Sequence, residues 1–150
     1  MGEIAPTAVD LKQLVDGAGD AIVVSDAGGA ITLWNKAAER IFGFTEADAM
    51  GKSLDLIIPE RQHGRHWEGF HKTMETAVTK YGADVLRVPA LHKAGHTLSI
   101  AFTVSMLFSE DRKVSGIAAF VRDDTKRFAE DRDLRKRLAA AEAKANGDAR

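Results

Sequence analysis

Residues 19–60 read GDAIVVSDAGGAITLWNKAAERIFGFTEADAMGKSLDLIIPE, and the order of signals inside this stretch decides the fold. Residues 21–25 (AIVVS) and 30–34 (AITLW) are short apolar, β-branched runs of the kind that form strands. Between them stand Asp26, Ala27, Gly28 and Gly29, and the glycines allow positive φ, so the two runs make a β-hairpin. Asn35 follows the second strand directly and is suited to cap the helix begun by KAAERIFG, whose Ala38, Ile41 and Phe42 form an apolar stripe closed by Gly43. Thr45 and Asp48 have the spacing of a capping box for a second short helix. A third short element over residues 53–58 stops at Pro59.

Working outward, residues 8–17 place Val9, Leu11, Leu14 and Val15 near helical spacing before Gly17 and Gly19, which predicts a short leading helix. Residues 62 to about 78 make one longer helix, whose stripe of Trp67, Phe70, Met74 and Val78 faces a core. Three further strands are expected over residues 85–91, 97–108 and 114–121, with turns at Lys93-Ala94-Gly95 and Ser109-Glu110-Asp111. A hairpin, a helical excursion and a three-strand meander most simply build one antiparallel sheet with helices on one face, an α+β domain. From Asp124 onward the chain turns charged and Ala-rich, with Leu134, Leu138, Ala141 and Ala145 in alternating four and three spacing. That segment is either a coiled-coil helix seeking a partner or a solvated helix lying on its own domain.

Composition removes several functions. The chain has 150 residues and is 45% hydrophobic, enough for one core and little more. Its net charge of −1 comes from interspersed charges, so no basic field invites nucleic acid or an anionic membrane. No apolar run reaches the roughly 18–20 residues that span a bilayer, and the start Met1-Gly2-Glu3 lacks the features of a signal peptide, so a cytoplasmic protein is expected. With no cysteine, disulfides, thiolate metal sites and cysteine nucleophiles are absent. No nucleophile with a base and an orienting group assembles, and the pair Asp123 and Asp124 at a strand end needs only a structural role, so a non-enzyme is expected.

The phrase 19–60, the later HKAGHTLSIAFTVSML (92–107) and the closing GIAAFVRDDTKRF (116–128) together resemble the PAS family over roughly residues 8–130. Asn35 matches the Asn that leads from strand to helix in that family, Gly95 the Gly before the long strand, and Asp123 with Thr125 the closing Asp-x-Thr. The resemblance implies a PAS fold, a five-stranded antiparallel sheet with helices on one face, whose inner side holds a ligand or nothing. It divides the chain into an N-terminal helical segment (1–19), a PAS sensor domain (20–123) and a C-terminal charged helix (124–150) that transmits signals. Flavin types that need an adduct-forming Cys, and hydroxycinnamate types that need a Cys thioester, are excluded by composition. Haem, non-covalent flavin, a small metabolite and an empty dimerisation module remain open.

His63, His66 and His71 all lie in RQHGRHWEGFHKTMETAV (61–78). At about 100° per residue, His66 and His71 sit on either side of the apolar stripe, and periodicity does not choose between them. Spacing also turns them apart, so zinc is disfavoured. The phrase IIPERQHGRHWEGF (57–70) resembles the haem-PAS sensors of the rhizobial oxygen-sensor kinase (FixL) type, in which a helix His after an Arg is the proximal iron ligand. The matching residue is His66. On that resemblance haem b is the expected cofactor, with flavin the lesser alternative. Gly69 and Thr73 stand one and two turns beyond His66 and leave space for a flat macrocycle, while Trp67, Phe70 and Met74 line its edge or simply form core. Lys72 matches a propionate-contacting Arg of the family, and Lys80 is a second candidate. Leu86 stands where those oxygen sensors carry a distal Arg, and strand alternation turns the neighbouring Arg87 to the opposite face. Phe102, Val104 and Met106 then complete an apolar distal wall, with Met106 as a possible sixth ligand, a pocket suited to CO or NO more than O₂. The expected protein is a homodimeric sensor of a diatomic gas or of redox state. It signals through its C-terminal helix to an effector domain or partner protein, with no nucleic-acid or membrane partner; the alternative is a cofactor-free interaction module.

Overall fold

The computed structural model describes residues 8–78 and 84–148. The elements follow the expected order: helix α1 (Leu11–Gly17), strands β1 (Ala21–Asp26) and β2 (Ile31–Trp34), helices α2 (Lys36–Phe42) and α3 (Glu46–Ala49), 3₁₀ turns at Leu54–Ile57 and Glu60–Gln62, and helix α4 (His63–Thr76). Strands β3 (Leu86–Leu91), β4 (Thr97–Phe108) and β5 (Val114–Asp123) lead to the terminal helix α5 (Thr125–Asp148). All five strands form one antiparallel sheet in the order β2-β1-β5-β4-β3, so the last strand returns to lie beside the first. This is the α+β architecture of a PAS fold.

Asn35 shows how local chemistry sets the chain's course. Its Oδ1 accepts from the Ala38 N–H at 3.0 Å, capping α2, and from the Ile22 N–H at 2.8 Å. Its Nδ2 donates to the carbonyls of Val15 at 2.8 Å and Asp20 at 3.1 Å. One buried side chain therefore ties α1, β1 and α2 together. Gly43 ends α2 with φ 81°, a conformation a side chain would strain, and the Thr45/Asp48 capping box starts α3.

The densest core lies between the β1–β2–β5 half of the sheet and helices α2 and α3. Trp34, Phe42, Ala37, Ala38, Val23, Ile31 and Val121 are buried there. The Trp34 and Phe42 rings lie 5.4 Å apart, and the Trp34 indole donates to the Phe44 carbonyl at 2.9 Å. Each large side chain buried here contributes roughly 1.5–3 kcal/mol.

The two edges of the sheet differ. Beyond β2, Ile31 exchanges hydrogen bonds with Gly51 and Lys52, both at 2.8 Å, and Ala30 bridges to Ser53. At the far edge β3 carries Pro89, paired with Ser99.

Two expectations need correction. Helix α4 ends at Thr76, because Ala77 adopts a left-handed conformation at φ 56° and donates its N–H back to the Thr73 carbonyl; Val78, expected at the end of the apolar stripe, is 66% exposed. The alternative of a C-terminal helix lying on its own domain is not what is found. No described side chain of α5 is buried, and Leu134 and Leu138 are each 59% exposed. The helix is held at its first turn, where the Ser99 N–H donates to Thr125 Oγ1, the Asp124 N–H donates to the Ser99 carbonyl, and Asp123 accepts from the Thr125 N–H.

Candidate ligand-binding cleft

The register assigns faces to the sheet residues. Leu86 pairs with Phe102 and Val88 with Ile100, while across β4 and β5 Phe102 meets Val121, Val104 meets Ala119 and Met106 meets Ile117. Through β5 these share the face of Ala21, Val23 and Ser25, the one turned toward the helices. Arg87 lies on the other face, opposite Ala101, and its Nε is 3.7 Å from Asp124 Oδ2 at the root of α5.

The helix side of this face is unevenly covered. Ala21, Val23 and Val121 are buried under α2, whereas Leu86, Phe102, Val104, Met106 and Ile117 are only half-buried and Val88 is exposed. Helix α4 buries Phe70 alone; His66, Trp67, Thr73 and Met74 are half-buried, and Gly69, His71 and Lys72 are exposed. The β3–β4–β5 part of the helix-facing surface is therefore an apolar floor left partly uncovered. Lys80 lies outside the described residues.

Trp67 is the latch of α4. Its indole N–H donates to Asp55 Oδ1 at 2.6 Å, and its ring lies so close to Gly29 that a Cβ there would sit 2.2 Å from it. Gly29 also has φ 89°, so both space and conformation require glycine in the β1–β2 turn. His63 is engaged nearby, its Nε2 2.7 Å from the Ile58 carbonyl and 3.8 Å from Asp55. Neither partner of Trp67 is signalled locally in the sequence, since Asp55 and Gly29 are brought to it by tertiary packing.

His66 differs from both other helix histidines. Its ring packs at 4.7 Å edge-on to Trp67 and 5.9 Å from Phe70, and its Nδ1 is buried without a hydrogen-bond partner. Burial pushes its pKa below the ordinary imidazole value; Asp55 pulls the other way, and His63 and His71 add to the lowering. The ring is thereby kept neutral, the state in which imidazole ligates iron. A Cβ on Gly69 would meet no atom within 4 Å, so the surface one turn beyond His66 is open. A neutral imidazole is the donor chemistry that haem iron takes from a protein. Among the described residues no three His, Cys, Asp or Glu side chains gather as a metal-ion site.

Comparison with known proteins agrees with this architecture. The model of the PAS fold family matches residues 10–123. An uncharacterised protein of Azorhizobium caulinodans is 33% identical over 129 residues, 85% of this chain and 17% of that protein. The sensor protein FixL of Bradyrhizobium diazoefficiens is 34% identical over 65 residues, 43% of this chain and 13% of its own length. The crystal structure of a PAS domain from Colwellia psychrerythraea superposes with a TM-score of 0.67 at 28% identity, covering 77% of this chain and 98% of that one. The chain thus spans less than a fifth of the curated relatives it matches.

Proposed function

Because the chain belongs to the PAS family, a family of sensory and signalling domains, we propose that it is the sensor module of a signalling protein, binds haem b through His66 and responds to a diatomic gas or to redox state without being an enzyme itself. The observation that carries this reading is the neutral imidazole of half-buried His66 on the helix that flanks a partly uncovered apolar sheet face. The partial similarity to FixL supports it. When bound, the haem would supply an iron centre for a diatomic ligand or an electron. Trp67, Phe70 and Met74 would flank it on the helix side, and Leu86, Phe102, Val104 and Met106 on the sheet side, where they exclude water. Thr73 turns its hydroxyl onto the Gly69 carbonyl at 2.9 Å and so presents its methyl outward. Exposed Lys72 would reach a propionate at the solvent edge. A visible absorption spectrum with and without added hemin tests the reading directly, a Soret band at one equivalent being the expected result.

Output is proposed to run through the base of α5. Ser99 on β4 holds Thr125 and Asp124, and Arg87 on β3 pairs with Asp124. A shift of β3 or β4 therefore reaches the first turn of the output helix, and from there an effector domain or partner protein. Arg87, being on the outer face, is expected to leave gas binding alone: Arg87→Ala keeps oxygen affinity and autoxidation within a few-fold, while Leu86→Arg slows oxygen release. A loss of more than about tenfold in oxygen affinity from Arg87→Ala, equivalent to roughly 1.4 kcal/mol, would place its guanidinium in the cleft instead.

The same domain is proposed to work as a homodimer. Val9, Leu11 and Leu14 on the α1 side and Leu134 and Leu138 on α5 are all 59–69% exposed, and helices this short or this polar gain most of their stability from apolar partners. Sedimentation at tens of micromolar is expected to show a dimer, weakened by deleting residues 1–17 or 126–150. A monomer unaffected by either deletion overturns it. Among the described residues no helix is long and apolar enough to cross a membrane.

A further inference from the structure

Helix α5 runs for 24 residues without a buried side chain, and only its first turn is tied to the sheet. A helix left this bare gains little from its own domain. Its apolar seam is Leu134, Leu138, Ala141 and Ala145, in steps of four, three and four, so Leu134 and Ala141 occupy position d of a heptad and Leu138 and Ala145 position a. Counting back places Asp131 at a and Arg127 at d. The residues flanking the seam are then fixed: Glu130, Arg137 and Lys144 stand at g, and Phe128, Arg135 and Glu142 at e, all of them exposed.

The flanking charges discriminate between the ways two such helices can pair. In a parallel pair in register, each g residue meets the next e residue of the other helix, and these contacts set partner and orientation. Glu130 then meets the partner's Arg135, and Arg137 meets the partner's Glu142. Both contacts join opposite charges, and two-fold symmetry repeats each of them. A slip of one heptad sets Glu130 against Glu142 and Arg137 against Arg135. An antiparallel pair that keeps the leucines in contact sets Arg137 against Arg137 and Arg135 against Arg135. Lys144 meets a carboxylate in either alternative, so attraction and repulsion there at best cancel, whereas the parallel pair in register has attraction alone. Arg127 and Asp131 meet their own copies in neighbouring layers of opposite sign, and Asp131 is already compensated by Arg135, whose Nε lies 3.1 Å from its Oδ2. A charged start to the seam costs stability but fixes register.

We infer that α5 is a docking surface for α5 of a second copy of this chain, the two helices running parallel and in register, with Glu130–Arg135 and Arg137–Glu142 ion pairs selecting that arrangement. The inference rests on the homodimer reading and adds to it the orientation and register of the helices. Its consequence is that both sensor domains stand at the same end of the pair. The Ser99–Thr125 and Arg87–Asp124 contacts of the two copies then act on the two helices at one level.

The chain has no cysteine, so a single introduced one reports proximity without background. Ala141→Cys, at d, is expected to oxidise to a disulfide-linked dimer, while Ala143→Cys, on the outward side of the helix, is expected to stay unlinked. In the antiparallel pair the two 141 positions would stand about 15 Å apart along the axis, beyond the reach of a disulfide. An Ala141→Cys protein that stays unlinked, or an Ala143→Cys protein that links as readily, overturns the inference. The ion pairs are tested by Glu142→Arg, which sets a like charge against Arg137 of the other copy and removes no ion pair within its own helix. Sedimentation is expected to show a dimer weakened about tenfold, and Arg137→Glu added to Glu142→Arg is expected to restore it. An unchanged dimerisation constant in Glu142→Arg, or no recovery in the double variant, also overturns the inference. A wild type that is monomeric at tens of micromolar overturns the homodimer and the inference together, whereas a dimer that fails either helix test overturns the inference alone.

Discussion

Replacing His66 with Ala is expected to abolish stoichiometric haem binding, or to strip the proximal-imidazole signature from the Soret region, while His63→Ala and His71→Ala leave the spectrum intact. The three histidines share one helix, so the discrimination comes from what each ring faces. His71 is exposed and has Glu75 one turn on, a carboxylate costly to bury beside a macrocycle. His63 is already committed to the Ile58 carbonyl. His66 alone of the three has a buried nitrogen with no partner, and burial holds it neutral. Folding is expected to survive each change, because the core under α2 does not include these rings. Hemin titration with circular dichroism as the folding control checks this. A His66→Ala protein that binds hemin with an unaltered spectrum, while His71→Ala does not, overturns the assignment; if wild type and variants alike take up none, the cofactor-free interaction module becomes the better account.

The largest stability effect is expected at Asn35. Truncation to Ala removes the α2 cap, worth about 1 kcal/mol. It also leaves the Ile22 N–H and the carbonyls of Val15 and Asp20 without their partner, each costing about 1–3 kcal/mol where water does not reach. Because Val15 and Asp20 are half-buried, water offsets part of the loss at their carbonyls, and a total of about 3–5 kcal/mol is expected, a large share of the roughly 5–15 kcal/mol that a domain has. Asn35→Asp is informative as a second variant. It keeps the acceptor for Ile22 and Ala38 but sets a carboxylate oxygen against two carbonyls, so it is expected to lose nearly as much. Urea unfolding followed by tryptophan fluorescence reads both; a loss below about 1 kcal/mol for Asn35→Ala means that water replaces the side chain and that α1 is not anchored there.

What was legible in the sequence was chemistry completed within a few residues. The Gly29 turn, the Asn35 cap and the Thr45/Asp48 box each announce their own geometry, and each is found, while Asp123 and Thr125 are marked by the family resemblance and are found hydrogen-bonded. Strand alternation likewise placed Leu86 and Arg87 on opposite faces. What was not legible depends on partners distant in the chain. The end of α4 carries no Gly or Pro, so the left-handed turn at Ala77 has no sequence signal and periodicity alone extends the stripe to Val78. Periodicity left His66 and His71 equal, because the roll of the helix is set by Trp67 reaching Asp55 and Gly29.

The two rims of the sheet have a consequence for how the molecule avoids its own kind. Open strand rims are templates on which further chains can stack, and fibres grow that way. Here the β2 rim is already occupied by the chain at Gly51, Lys52 and Ser53. On β3 the ladder to β4 runs unbroken through Pro89, so the N–H that proline lacks is missing from the outward side, and an added strand would meet a gap in its hydrogen bonding. Ordered lateral growth is thus interrupted at both ends of the sheet.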